Sequence, residues 1–135
     1  MKRHITDALA LGRDCRATAA PEFAVVSTVF LTFIMAIAYL GLILFTYAGV
    51  HWAVENAARI AAVNTSATKS QIQTAINGDL TLIGLPNATS VSYTVATTPF
   101  QIATVTATLQ QTYVVPLLST VTITYSATTQ VPQAF

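Results

Sequence analysis

The pattern of apolar and polar residues divides the chain into one uninterrupted apolar segment and a longer region of alternating residues. No charged residue occurs between Glu22 and Glu55, and the most apolar part of this interval covers residues 23–47. A helix that crosses a bilayer needs about 20 apolar residues. The pattern therefore predicts one transmembrane helix at about residues 23–47.

Helical periodicity continues beyond this segment as a stripe of small residues that recur every fourth position: Gly49, Ala53, Ala57 and Ala61. Small residues allow close approach of two helix backbones. The stripe is predicted to pack either against a helix of another subunit or against this chain's own domain. The long helix is predicted to end near Asn64. From Pro21 to Val63 it would measure about 65 Å at 1.5 Å per residue, so its second half would project from the bilayer.

Residues 64–135 are predicted to form a small α+β domain outside the membrane. Thr65 or Ser66 is a candidate N-cap of a short second helix, and Gly78 is its candidate C-terminal stop. Beyond it the apolar period changes to two, in three segments: 90–96, 102–109 and 120–131. Such alternation with threonine is typical of strands that have one buried face. We expect a three-stranded antiparallel sheet that packs on the outer half of the long helix.

The basic residues predict the orientation of the membrane segment. Four precede it and two follow it, in this order: Lys2, Arg3, Arg13, Arg16, then Arg59 and Lys69. Because cytoplasmic flanks carry the excess of basic residues, the N-terminus and Cys15 are predicted to be cytoplasmic and the C-terminal part is predicted to lie outside the cytoplasm. A cleaved secretory signal is not predicted, because its apolar region would be shorter and its small residues would follow that region.

Composition excludes several classes of function. Charged residues make up 8% of the chain and hydrophobic residues 53%, with a net charge of +1, so a basic surface for nucleic acid is absent. One cysteine rules out a disulfide framework and a multi-cysteine metal site. His51 and Glu55 share a helix face, but two ligands do not make a metal site. We therefore predict no enzyme, no cofactor, no metal and no small-molecule substrate.

Glu22 stands at the edge of the apolar helix, where a carboxylate costs free energy unless it has a partner. Pro21 and Glu22 both suit the first turn of a helix. That preference does not explain why four small residues separate Glu22 from Arg16. The run RDCRATAAPEF at residues 13–23 resembles the start of a type IV prepilin-like subunit. Such a subunit has a basic leader, a cleavage point, four residues, a glutamate at mature position five and an apolar helix.

More narrowly, the chain resembles the TadE-like family, the minor pseudopilins of the tight adherence (Flp) pilus system. The family's A-x-x-E-F-A start is similar to the segment that contains Glu22 and Phe23, and its Y-x-x-P-L-L connection is similar to residues 113–118. Its E-N-A-A-R segment is matched by Glu55, Asn56, Ala57, Ala58 and Arg59.

This resemblance implies cleavage by an aspartic prepilin peptidase between Ala17 and Thr18, although Ala17 stands where the family usually has glycine. It divides the chain into a leader at 1–17, a helix at 18–63 and an exported domain at 64–135. Glu22 and Phe23 are then the assembly residues, because Glu22 would pair with the α-amine of Thr18 on a neighbouring subunit.

The expected function is that of a minor pilin or pseudopilin in pilus assembly, adhesion or biofilm formation. Its expected place is the bacterial inner membrane, with the C-terminal domain in the periplasm, and whether it also enters an extracellular pilus stays open. Its expected partners are the inner membrane, the prepilin peptidase, other pilins or pseudopilins and the pilus assembly machinery. Two alternatives stay open: a single-pass anchor that presents a small binding domain, and a minor pseudopilin of a type II secretion-like system.

Overall fold

The computed structural model describes residues 19–97, 101–115 and 119–133. The leader, Cys15 and both residues of the predicted cleavage site, Ala17 and Thr18, lie outside the described residues. The described chain contains two helices and three strands in this order: α1 (Ala19–Val63), α2 (Lys69–Leu82), β1 (Ser90–Ala96), β2 (Ile102–Val115) and β3 (Ser119–Pro132). The predicted α+β class is thereby confirmed, with a long N-terminal helix and a small antiparallel sheet.

The chain divides into two compact units, which cover residues 1–41 and 42–135. Within the first unit, the described part of α1 carries large apolar side chains on its surface, and Phe23 is 73% exposed. The most apolar window of α1 has a mean hydropathy of 2.4, and none of that window is buried. Helix α1 is therefore long and apolar enough to cross a membrane.

Hydroxyl groups in the apolar part of α1 bond back to the helix itself. Ser27 and Thr28 both donate to the carbonyl of Ala24, at 3.0 and 2.8 Å, and Thr32 donates to the carbonyl of Thr28 at 2.8 Å. A polar group that is satisfied within its own helix adds little to the cost of transfer into lipid. These three hydroxyls are thus compatible with a membrane span.

The predicted start of α2 is wrong by a few residues. Neither Thr65 nor Ser66 caps the helix; instead, Thr68 is the N-cap. The amide of Gln71 donates to the Thr68 hydroxyl at 3.4 Å, and the Thr68 amide donates to the Gln71 side-chain oxygen at 3.0 Å. This reciprocal capping box satisfies two donors at once, which explains why the helix begins at this threonine.

The predicted stop at Gly78 is also wrong, because α2 continues through it to Leu82. The next turn carries Leu80, which is fully buried, and burial of a leucine outweighs the roughly 1 kcal/mol cost of one helical glycine. The helix ends at Leu82, and two residues later the chain turns at Gly84, whose φ of +76° favours glycine. The amides of Gly84 and Leu85 donate to carbonyls of the last turn and close it.

The sheet has the order β1–β2–β3, and both pairings are antiparallel. Strand β1 pairs with the first half of β2, from Ala96 opposite Ile102 onwards. Strands β2 and β3 pair over their whole lengths, as far as Val115 opposite Ser119. Both strands are therefore longer than the predicted segments 102–109 and 120–131, because each extends the other's ladder past the end of β1.

Alternating residues place an apolar face of the sheet in the core and a hydroxyl face on the surface. The central strand supplies the best-covered part of the core: Ala103, Val105, Ala107 and Leu109. On the outer face, threonine hydroxyls pair across β2 and β3, with Thr106 and Thr128 at 3.0 Å. The inner face is less covered toward the sheet's ends, where Val95 is 38% exposed.

Candidate functional site

The two candidate assembly residues lie together at the start of α1. Glu22 is in the first helical turn and is exposed, as is Phe23 beside it. A shallow surface depression next to them is lined by Pro21, Glu22, Val25 and Val26. The carboxylate therefore stands at the positive end of the helix on an otherwise apolar surface. Such a surface favours a cationic group that arrives together with apolar contacts.

The small-residue stripe lies inside the chain's own second unit. Ala53, Ala57 and Ala61 are each 0% exposed, and Gly49 is buried as well. A Cβ atom on Gly49 would lie 2.6 Å from Cδ1 of Ile83, so only glycine fits this contact without a shift. The stripe was predicted to pack either against a helix of another subunit or against this chain's own domain. In the structure it packs against this chain's own domain.

The Glu55–Arg59 segment combines core, bridging and surface positions. Ala57 and Ala58 are buried in the core, whereas Glu55 and Arg59 are exposed. The amide nitrogen Nδ2 of Asn56 donates to the carboxylate oxygen Oδ2 of Asp79 on α2 at 2.7 Å. This short charge-assisted bond fastens the two helices to each other. The segment thus organises the domain and also presents two charges to its surroundings.

The Asn56–Asp79 bond was not anticipated from the sequence, although a signal for it exists. Asp79 is the only acidic residue after Glu55 in the chain. A lone carboxylate at the half-buried surface of a nearly uncharged domain needs a donor. A partner for Asp79 is therefore predictable, but its identity is not, because Asn56 lies 23 residues away.

A buried chain of hydroxyl groups joins α1 to the sheet. The Thr46 hydroxyl donates to the carbonyl of Leu42 at 2.9 Å and lies 3.1 Å from the Tyr113 hydroxyl. The hydroxyls of Tyr113 and Tyr125 are 2.9 Å apart. Because Thr46 uses its only proton on Leu42, Tyr113 donates to Thr46 and Tyr125 donates to Tyr113. Burial, together with the bond to Tyr113, raises the pKa of Tyr125 to about 12.

A second polar contact joins the other end of the sheet to the end of α1. The side-chain nitrogen Nε2 of Gln133 donates to the backbone carbonyl of Ala61 at 3.0 Å and to the Tyr93 hydroxyl at 3.1 Å. Gln133 is buried, so these bonds are protected from water. Strands β2 and β3 are therefore held along the second part of α1 at two separate levels.

A comparison with known protein families finds a match for the first part of the chain. Residues 17–59 match the family model described as TadE-like protein, which confirms the resemblance over about a third of the chain. The match begins at Ala17 and ends at Arg59, the last residue of the Glu55–Arg59 segment. The members of this family are structural proteins associated with Tad pili. No curated protein and no solved structure matches the chain.

Proposed function

We propose that this protein, TadE-like over residues 17–59, is a minor pilin or pseudopilin of a tight adherence (Flp) pilus. Helix α1 holds it in the bacterial inner membrane, its sheet domain lies in the periplasm, and it acts in pilus assembly. One observation carries the proposal: the family match covers residues 17–59, and within it the long apolar helix carries the exposed carboxylate of Glu22 just before its apolar segment.

The proposed processing site lies between Ala17 and Thr18, so that Glu22 becomes the fifth residue of the mature chain. Cleavage removes the four basic residues that precede the membrane segment. Because these residues retain the helix at the cytoplasmic face, their loss lowers the barrier to extraction of α1 from the bilayer. Cleavage also creates a new positive charge, the α-amine of Thr18.

Glu22 and the new amine then form the proposed contact between subunits. In a fibre, the apolar parts of neighbouring α1 helices contact one another in place of the membrane lipid. A carboxylate that enters this core alone carries a large desolvation cost, and an amine of opposite charge offsets much of it. The exposed position of Glu22 beside Pro21, Val25 and Val26 suits an approach of the neighbour's Thr18.

Mass spectrometry of the membrane-extracted protein tests the processing step. The proposal expects a chain that begins at Thr18 in cells with the peptidase and at Met1 in cells without it. An Ala17→Gly variant should be processed at least as fully, whereas a bulky Ala17→Leu variant should keep its leader. A wild-type chain that keeps residues 1–17 in the presence of the peptidase would favour the single-pass anchor instead.

Co-assembly tests the role of Glu22. The Glu22→Ala variant should reach the membrane in normal amounts but be recovered several-fold less with the other pilins after cross-linking. Glu55→Ala is the matched control, because it removes an exposed glutamate of the same helix outside the apolar segment. Equal losses of membrane insertion and co-assembly in Glu22→Ala would contradict the proposal. Recovery that depends on type II secretion components would favour that alternative.

A further inference from the structure

Strand β3 lies at one edge of the sheet, and every second residue directs its backbone groups away from β2. The amide of Gln133 donates to the carbonyl of Gln101 at 3.0 Å, so these two residues form a hydrogen-bonded pair next to Ile102 and Pro132. Bonded and non-bonded pairs alternate in an antiparallel ladder. The odd-numbered residues of β3 therefore bond to β2. Six exposed even-numbered residues direct an N–H and a C=O group outward: Thr120, Thr122, Thr124, Ser126, Thr128 and Gln130.

This edge has none of the features that commonly protect an edge strand, which are lysine, a proline or a bulge. Strand β3 carries no charged residue, its ladder with β2 has no bulge, and its one proline is the last residue, Pro132. Within residues 19–97, 101–115 and 119–133, no strand and no backbone hydrogen bond lies beyond it. The edge therefore offers a regular row of donors and acceptors to a further strand.

Strand β1 forms the opposite edge of the same sheet, and its backbone fits the edge of β3. Both strands are antiparallel to β2 and so run parallel to each other. The odd residues of β2 bond to β3, so its even residues bond to the even residues of β1 opposite them. Val91, Tyr93 and Val95 therefore direct their backbone groups outward. Because the bonds of a parallel ladder are slanted, these residues can bond to the even residues of β3 in another copy.

A copy placed beside β3 without a shift along the strands also continues both faces of the sheet. Through β2, the registers set Ser92 level with Thr128, and Val95 level with Val131. The neighbour's Ser92 then lies beside Thr128 on the hydroxyl face, and its Val95 lies beside Val131 on the apolar face. Val95 is 38% exposed in a single copy, so this contact removes apolar surface from water.

We infer that a second copy of this chain adds its strand β1, as a parallel strand, to the edge of β3. Each copy has both edges, so the contact is head-to-tail and can repeat in a row. A β3–β3 contact closes at two copies and leaves Val95 uncovered. The inference rests on the proposed function, which makes the chain a subunit of a fibre, and it adds which neighbour the sheet binds.

Disulfide cross-linking of the full chain in cell membranes tests this contact. The background is Cys15→Ser, which removes the only cysteine, and the cysteine pair is Ser92→Cys with Thr128→Cys. Within one copy β2 separates these positions by about 10 Å, which is two strand spacings, whereas a disulfide needs Cα atoms within about 7 Å. A bond between them therefore joins two copies. Ser126→Cys and Gln130→Cys replace Thr128→Cys in turn to detect a shift along the strands.

The inference expects the cysteine pair to give dimers, trimers and larger species after oxidation, several-fold above either single variant. Thr106→Cys, on the central strand, is the control for random collisions. Yields no higher than this control at all three β3 positions would overturn the inference. Dimers from Thr128→Cys alone would overturn it in favour of a β3–β3 contact, and cross-links only to another pilin would overturn the choice of a second copy.

A proline at the edge tests the same contact in the background of the cysteine pair. Ser126→Pro removes an outward N–H, should retain the β2–β3 ladder and should reduce the cross-linked species several-fold. Thr129→Pro is the matched variant, because it removes an N–H that bonds to β2 and should disturb the circular dichroism spectrum. Ser126→Lys replaces Ser126→Pro if the latter does not fold. Undiminished cross-linking in the folded Ser126 variant would overturn the inference.

Failure of this contact and failure of the proposed function give different results. A chain that is processed before Thr18 and is recovered with the other pilins, but gives no cross-linked species, loses only the contact between sheets. A chain that keeps its leader and still gives dimers and trimers retains the contact and loses the proposed function.

Discussion

The two parts of α1 use the same backbone geometry with opposite side-chain strategies. The first part carries large apolar residues that the chain itself leaves uncovered, such as Phe23 and Ile37. The second part carries small residues that the chain covers completely, such as Ala53 and Ala57. Large side chains suit a helix that is surrounded by lipid or by other apolar helices. Small ones bring the helix backbone close to its own domain. The first part of α1 therefore depends on its surroundings for cover, whereas the second part is covered by the chain's own domain.

The same substitution in the two regions gives the largest expected contrast. Leu109→Ala removes a fully buried leucine from β2, and we expect it to lower the free energy of unfolding of the domain by about 2–5 kcal/mol. Leu40→Ala removes an exposed leucine from the first part of α1 and should leave the domain unchanged. Hydrogen exchange of the sheet amides in detergent micelles measures both. Equal effects would contradict the division.

An enlarged side chain sharpens the comparison in the opposite direction. Ala57→Leu places extra volume at a 0% exposed position, and overpacking should cost about 1–3 kcal/mol or more. Ala36→Leu adds the same volume at an exposed position of the apolar segment and should be tolerated. Thermal unfolding of the full chain, followed by near-ultraviolet circular dichroism, distinguishes the two variants. A stable Ala57→Leu domain would show that the stripe has room to spare.

The bridge between the two helices is expected to have a smaller effect. Asn56→Ala leaves the half-buried carboxylate of Asp79 without its 2.7 Å donor, and we expect a loss of about 1–2 kcal/mol. Asp79→Asn retains the shape of the side chain and should cost less. The double variant Asn56→Ala with Asp79→Ala should be more stable than the sum of the two single alanine variants predicts. Strict additivity would mean that the bond contributes nothing to stability.

The tyrosine pair gives the smallest effect at neutral pH and a specific one in alkali. Tyr125→Phe should cost about 0.5–1.5 kcal/mol at neutral pH, because one buried hydrogen bond is lost. In the folded chain the pKa of Tyr125 is raised from 10.0 to about 12. Its contribution is therefore complete below pH 10 and is lost as the pH rises from 10 to 12.

A spectroscopic titration of tyrosinate in the wild type and in Tyr125→Phe measures this dependence. The wild-type domain should lose stability between pH 10 and 12, and Tyr125→Phe should lose less over the same range. Val91→Ala, a core substitution that removes no hydroxyl, is the control. It should lower the free energy of unfolding by the same amount at neutral and at alkaline pH. If Tyr125→Phe lost as much stability between pH 10 and 12 as the wild type, the tyrosine pair would not be the cause of the alkaline loss.

The elements were predictable where a local period dominates and were misplaced where a distant residue decides. Strand β1 was predicted with its observed bounds, Ser90–Ala96, because the alternation and the flanking turn agree. Helix α2 was predicted to stop at Gly78, but burial of Leu80 carries it further. For the candidate site, the position of Glu22 at a helix start was predictable from Pro21 and the apolar run. The partner of Asn56 was not, because its hydrogen bond joins separate helices.

By itself the sequence determined the membrane-length apolar helix, its small-residue continuation and the alternating strands. Each of these can be recognised because residues close together in the sequence share one repeating pattern. The tertiary structure alone decided that the stripe is buried within this chain's own domain and that Thr46 meets Tyr113, 67 residues away. It also decided that Gln133 meets Ala61, 72 residues away. Contacts over such separations depend on strand register and packing, which no local pattern encodes.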